Sequence, residues 1–337
     1  MEFQGNLILI DWLTVTSRSD DVNDFMRILG MSDKDIPWES LDAYMNGYPK
    51  RTFWNGVTIL WGSDREDMGV CLTLTGQGCR TFETYGHGKW IELLTLFSSS
   101  TDYHITRLDL AYDDHIGILD ISQLRDDTDD GYYVSKSRWW KVEYGSEGCS
   151  IYHGSPRSDI RIRIYDKARE RGFNLDDPDY HHWIRVELQL RDKRAGAAVT
   201  SIISSDIGTT MCGVLRNYLT YRDPSGDSNK SRWELAPYWS RFLSGVAAIS
   251  LWESPGEDYN ISRVEQWLVK QCGGALLTWH QLYNISDLIY RIKQSGVQLS
   301  PKYRRLIDEY LYKKRLEDPD HVYQVPEVDD PYNLFDF

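Results

Sequence analysis

The sequence predicts an α+β fold: a mainly antiparallel sheet with helices on one side and an open, charged face, followed by a smaller helical domain. Two observations carry this. Roughly the first 220 residues alternate short β-branched segments with Gly and polar turns, interrupted by helix-type stretches, and beyond a polar linker the pattern turns helical. Leu7–Thr16, Gly56–Trp61 and Val70–Thr75 have strand content. Asp21–Leu29 starts in acidic residues and stops at Gly30, and Gly88–Phe97 is apolar-periodic between polar turns, so both read as helices. Arg222–Ser231 is rich in turn formers and poor in apolar residues, which makes it the linker. Beyond it, Ser262-Arg-Val-Glu265 has capping-box spacing, and Ser300-Pro301 supplies an N-cap and N1 proline for a helix to about Leu316. The expected organisation is a first domain over 1–221, a linker over 222–231, a helical domain over 232–316 and an acidic flexible tail over 317–337.

Composition bounds the function. The chain has 337 residues and a formal net charge of -13, and its apolar runs fall short of the roughly 18–20 residues that cross a bilayer. No membrane partner and a cytoplasmic location are expected. Five cysteines (Cys71, Cys79, Cys149, Cys212, Cys272) never form Cys-x-x-Cys, which argues against a disulfide framework or thiolate zinc site. The acidity is local: residues 317–337 carry seven acids and no base, and 120–130 carry five acids and one arginine. Arg157–Arg171 holds six basic and three acidic side chains, so global acidity does not exclude a nucleic-acid partner.

Three segments between 105 and 191 have a polar face of unusual content when laid out with the two-residue period of a strand. Ile105–Asp113 places Arg107, Asp109, Ala111 and Asp113 opposite Leu108, Leu110 and Tyr112. Ile160–Lys167 places Arg161, Arg163, Tyr165 and Lys167 opposite three isoleucines, and Trp183–Leu190 places Trp183, Arg185, Glu187 and Gln189 opposite Ile184, Val186, Leu188 and Leu190. A solvated antiparallel face also alternates in this way. The sharper reading is catalytic: Asp109 and Glu187 hold a hard divalent ion, Mg²⁺ or Mn²⁺, and Tyr165 is a nucleophile whose phenolate the surrounding cations favour. A tyrosine with a general acid would equally serve proton transfer, but arginines in this number suit a polyanionic substrate.

These residues resemble the replication initiation factors of rolling-circle plasmids and phages and the related relaxases of conjugative elements. The likeness rests on Ile10-Asp-Trp-Leu-Thr-Val-Thr16, Leu74-Thr-Gly-Gln-Gly-Cys-Arg80, Thr106-Arg-Leu-Asp-Leu-Ala-Tyr-Asp-Asp114, Tyr152-His-Gly-Ser-Pro-Arg-Ser-Asp159, Arg163-Ile-Tyr-Asp-Lys167 and Trp183-Ile-Arg-Val-Glu-Leu188, in that order. The resemblance implies a relaxase-like catalytic face and an enzyme that nicks one strand of origin DNA by metal-dependent tyrosine transesterification. Tyr165 would become joined to the 5′-phosphate and free a 3′-hydroxyl. Lys167 would contact the phosphate or leaving group, and Asp109 and Glu187 would bind metal, with the third ligand among Asp113, Asp114 and His153 and Asp113 placed first. Arg107, Arg161, Arg163 and Arg185 would meet DNA. Tyr152, read as lying in a Gly-flanked turn, is the rival nucleophile. Origin DNA, a host helicase or replication machinery and a second copy of the chain are the expected partners.

Other features have plainer readings. Gly76-Gln-Gly78 is expected to be a turn, structural or phosphate-holding, and Cys79 a buried thiol. Ser155 and Ser158 would serve a turn, and Lys302, Arg304, Arg305, Lys313, Lys314 and Arg315 would form a basic helix that contacts DNA backbone or water. The tail would solubilise the chain or dock a partner through its aromatics. Competing functions are a non-catalytic origin binder on the same fold, a metal nuclease that activates water, and a conjugative-element relaxase.

Overall fold

The structure, a computed structural model, describes residues 6–19, 21–32, 36–65, 68–145, 148–173, 182–247, 265, 268–296, 304, 307, 310 and 311. Two compact units divide the chain, Met1–Pro255 and Gly256–Phe337. The strands of the first are β1 (Leu7–Ser17), β2 (Glu39–Met45), β3 (Tyr48–Trp54), β4 (Val57–Trp61), β5 (Val70–Leu74), β6 (Tyr103–Asp114), β7 (Tyr133–Ser135), β8 (Trp140–Gly145), β9 (Gly148–His153), β10 (Ile160–Asp166), β11 (Ile184–Arg191) and β12 (Leu219–Tyr221). Its helices are α1 (Val22–Leu29), α2 (Gly76–Tyr85), α3 (Trp90–Ser99), α4 (Ile121–Asp129), α5 (Lys167–Glu170), α6 (Lys193–Ser204), α7 (Ile207–Tyr218) and α8 (Pro237–Ala247). Ten strands form one sheet in the order β2-β3-β4-β5-β1-β6-β11-β10-β9-β8, antiparallel throughout, and β12 pairs with β7 apart from it.

The predicted strands and helices form because their apolar sets share one face. Leu13, Leu72, Leu74, Leu108, Leu110, Leu188, Ile162 and Ile164 are all buried. Against this face lie α3 and α6, and α8 brings Phe242 edge-on to Tyr112 at 5.1 Å. Asp21 caps α1 and Gly30 ends it at φ 73°, as the sequence predicts.

Three expectations change. The 222–231 segment does not close the first unit. Arg222 bridges to Leu235, and Trp239, Phe242, Leu243 and Val246 of α8 are fully buried, so helical chain begins inside that unit, which runs to Pro255. Gly76-Gln-Gly78 is the first turn of α2, with Thr75 as its N-cap accepting from the Gly78 N–H. Tyr152 lies within β9, not in a turn. The second unit holds a π-helical turn at Leu268–Cys272, then α9 (Gly273–Leu282) and α10 (Ile285–Gln294), the last capped by Asn284. Ser262, Ser300, Pro301, Lys302, Arg305, Lys313, Lys314, Arg315 and the acidic tail lie outside the described residues. Among the described residues no helix is long and apolar enough to cross a membrane.

Two glycines fix how α2 meets the sheet. Asn55 and Gly56 both have positive φ (42° and 85°), the signature of a two-residue hairpin turn, and here they join β3 to β4. A Cβ on Gly56 would lie 2.4 Å from the Gly78 nitrogen, and one on Gly78 would lie 2.3 Å from the Gly56 oxygen. Backbone meets backbone there, which only glycine allows. Gly78→Ala should therefore cost about 1–3 kcal/mol of stability in urea melts, with loss of the Thr75 N–H to Gly56 carbonyl bond.

Candidate active site

The polar face is assembled by register. Asp109 lies opposite Gln189, Asp113 opposite Arg185, Glu187 opposite Arg163, Arg185 opposite Tyr165, and Arg163 opposite Tyr152. One device was not legible from the two-residue period. The register of β1 against β6 shifts between Ile10 and Trp12, so Asp11 is an extra residue in the strand. The bulge aims its carboxylate at Arg185.

Arg185 is fully buried. Its Nε and Nη2 donate to the two oxygens of Asp113 at 2.6 and 2.7 Å, and its Nη1 donates to Asp11 Oδ2 at 3.1 Å. Burial works against its charge, but Asp113 and Asp11 outweigh burial and hold it in the cationic form. Arg185 is therefore a buried structural ion, where the sequence reading placed a DNA contact. Asp113, placed first as third metal ligand, has both oxygens taken up by that guanidinium. The other two options are also engaged elsewhere: Asp114 accepts from the Leu119 and Ile116 N–H groups, and His153 points to the helical side, 3.2 Å from the Tyr221 hydroxyl.

Tyr165 is 1% exposed, and its hydroxyl donates to Glu187 Oε1 at 2.6 Å. The Arg163 guanidinium lies over its ring at 3.7 Å and Lys167 Nζ is 5.4 Å from the ring centre. These cations do not produce a resting phenolate. Burial raises the phenol well above its ordinary value, and Glu187 adds to the rise. Glu187 is itself pushed up, first by burial and then by the charge of Asp11. Asp109 is raised to about 6, by burial and, against the pull of Arg107, by Glu187 and Asp11. Arg107 holds Asp109 through Nε and Nη2, at 2.9 and 2.5 Å, and stacks on Trp12.

Lys167 departs from the predicted strand face. β10 ends at Asp166, which caps the short α5 by accepting from the Arg169 N–H, and Lys167 Nζ is 2.6 Å from Glu170 Oε2. Arg163 shares that carboxylate at 3.3 Å. Glu170 is thus a member of the site that strand periodicity misses because it lies on a helix. Trp183 precedes β11 and is buried, its ring 5.2 Å from that of His115 and 5.8 Å from the Arg185 guanidinium.

Among the described residues no three His, Cys, Asp or Glu side chains converge closely enough to chelate a metal ion. The donor chemistry nevertheless fits a hard divalent cation. The charge of Asp11 raises both Asp109 and Glu187, and Glu187 also raises Asp109, a repulsion that a cation relieves, and Mg²⁺ at phosphoryl sites ordinarily needs only one or two carboxylates beside water and phosphate oxygens.

The antiparallel sheet thus carries a tyrosine–carboxylate pair on an arginine-rich face, and the likeness to known proteins gives its class, the rolling-circle replication initiators. Residues 103–290 match the family described as replication initiation factor, and residues 7–99 match the rolling circle replication initiation protein N-terminal domain. The chain belongs to the replication initiation factor family. It is 23% identical over 320 residues to a protein of Bacillus subtilis (strain 168) described as putative DNA relaxase NicK, covering 90% of this chain and 89% of that one. It also matches the structure of a rolling circle replication initiator protein from Geobacillus stearothermophilus, with a TM-score of 0.66 and 30% identity, over 73% of this chain and 98% of that one.

The raised Asp109 yields a signed prediction. Its folded pKa of about 6 exceeds the ordinary 3.8, so the folded state holds this proton longer than the unfolded one. The carboxylate therefore costs stability progressively as pH rises between those values and by a constant amount above them. Asp109→Asn should melt about 2–4 °C higher than the parent at neutral pH, with the gap closing in acid. Scanning calorimetry across pH checks this.

Proposed function

We propose that the protein nicks one strand of origin DNA by transesterification, with Tyr165 as nucleophile. The single observation that carries this reading is the 2.6 Å bond from the Tyr165 hydroxyl to Glu187 Oε1 on a face lined with arginines. Glu187, raised above the usual carboxylate range, is a proton acceptor suited to a phenol. As Tyr165 Oη bonds to phosphorus, its proton passes to Glu187 and the bond to the 3′-oxygen breaks. That oxygen takes up a proton from solvent water and leaves as a free 3′-hydroxyl. Arg163 lies beside the ring where charge develops on the phosphoryl oxygens. Lys167, paired with Glu170, brings a second cation to 5.4 Å from the ring centre.

Asp109 and Glu187 would hold Mg²⁺ or Mn²⁺ beside water and phosphate oxygens, with the charge of Asp11 adding to the attraction. Such an ion supplies Lewis-acid stabilisation of the phosphoryl oxygens. Glu187 Oε1 stays on the phenol, and Oε2 takes no hydrogen bond from a described residue. Duplex origin DNA with an unpaired nick site is the substrate, and the second unit is an accessory DNA-binding element. Host replication proteins and a second copy of the chain remain the proposed partners.

On supercoiled plasmid carrying the cognate origin, with Mg²⁺ or Mn²⁺, Tyr165→Phe should lose both nicking and the covalent adduct. Retention of either by that variant, or a DNA-joined peptide containing Tyr152, overturns the assignment. Nicking by the parent should rise with pH through the titration of Glu187, because the ionised carboxylate is the acceptor; Glu187→Gln should lower the rate by roughly 10²–10⁴.

A further inference from the structure

The charges on the polar face are balanced around Tyr165 but not along the whole sheet. Arg107 is paired with Asp109, Arg163 and Lys167 with Glu170, Lys141 with Glu143, and Arg185 with Asp113 and Asp11. Arg161 and Arg191 differ. Neither has a carboxylate partner among the described residues; the Nε of each, like that of Arg163, is buried without a hydrogen-bond partner, and Arg191 Nη2 donates to the Pro156 carbonyl at 3.3 Å. They lie at one end of the face, where Arg161 is opposite Gln189 and Arg191 is opposite Arg107. Gln189, with its amide oxygen turned toward them, accepts from Arg107 at 3.0 Å and Arg191 at 2.9 Å.

Arg161 is also placed by stacking. Its guanidinium sits 4.5 Å from the centre of the Tyr152 ring, and Arg163 lies 5.7 Å from that ring and 3.7 Å from Tyr165. Arg161, Tyr152, Arg163 and Tyr165 therefore form one row of planar groups leading from the uncompensated end to the reacting tyrosine. Tyr152, Arg163 and Tyr165 line a single cleft of about 410 Å³ together with Ser150 and Glu170.

We infer that Tyr152 and Arg161, with Arg191, form a subsite for a nucleotide of single-stranded DNA flanking the scissile phosphate. A guanidinium without a carboxylate partner recruits a phosphate, and aromatic rings and arginine planes offer every unpaired base a stacking surface. This rests on the nicking reading and deepens it: the strand runs from Tyr165 toward the Arg161 end of β10, and Tyr152 acts through its ring. A second nucleophile would act through its hydroxyl.

The test is equilibrium binding of fluorescein-labelled oligo(dT) to the full chain across a salt series. It requires no cleavage, so its outcome is independent of whether Tyr165 attacks phosphorus. Arg161→Gln should weaken binding and reduce the salt slope by about 0.7; Arg161→Lys should restore the slope. Tyr152→Ala should lose about tenfold in affinity, while Tyr152→Phe should bind as the parent does. The oligo(dT)·oligo(dA) duplex should bind more weakly than the single strand. Circular dichroism melts that coincide with the parent's confirm that each variant is folded. The inference fails if the parent does not bind oligo(dT), if Arg161→Gln leaves the slope unchanged, if Phe and Ala at 152 lose affinity equally, or if duplex binds as well as single strand.

Discussion

The buried Arg185 guanidinium is the constraint around which the first unit is built. It lies on β11 and is neutralised by Asp113 at the end of β6 and by Asp11 in the bulge of β1, so one cation ties three adjacent central strands. Removing one partner from such a pair costs about 3–5 kcal/mol, because the other is left charged in a medium that does not solvate it. A charge of this kind specifies register. A slip of one residue between β6 and β11 would turn Asp113 to the opposite face and leave Arg185 beside apolar side chains.

Tyr165 is the cross-strand neighbour of Arg185, so the same constraint sets where the phenol stands relative to Glu187. Electrostatics on the face follow from this placement. Asp113 is spent on holding the sheet together, while Asp11 keeps one oxygen free of Arg185, and Asp109 and Glu187 are left partly uncompensated and raised. The carboxylates that stabilise the fold and those available for chemistry are separate residues on one surface: Asp113 pairs with a buried guanidinium, Asp109 with the partly exposed Arg107.

Alternation made β1, β6, β10 and β11 legible, together with the opposed apolar and polar sets that bring Tyr165, Glu187 and Asp109 to one face. It failed where the period breaks. Asp11 enters the site through a bulge, which adds a residue without changing composition. Lys167 and Glu170 lie on a helical turn that a strand reading continues through, and Trp183 precedes its strand. Period also cannot tell Arg185 from Arg161, since burial by neighbouring strands separates a structural ion from a free one. β2 and β3 carry Lys50, Arg51 and Asp42 among their apolar residues and escape a hydrophobic pattern. The pairs Asn46-Gly47 and Asn55-Gly56, all four at positive φ, are the turn signals that would have found them. Thr75 as an N-cap was the corresponding signal for α2.

Tyr165 sits within β10, the third strand from one edge of the sheet, flanked on both sides by paired strands, and not on a loop. Backbone there has no freedom to carry a side chain outward, so its reach is the length of one phenol. On the proposed reading, the burden of movement falls on the DNA. A base-paired helix is too broad and stiff to lay one phosphate onto a recessed floor, and local melting must come before the cut. Superhelical tension in the target, which makes melting cheaper, would then act as a gate on when the protein fires.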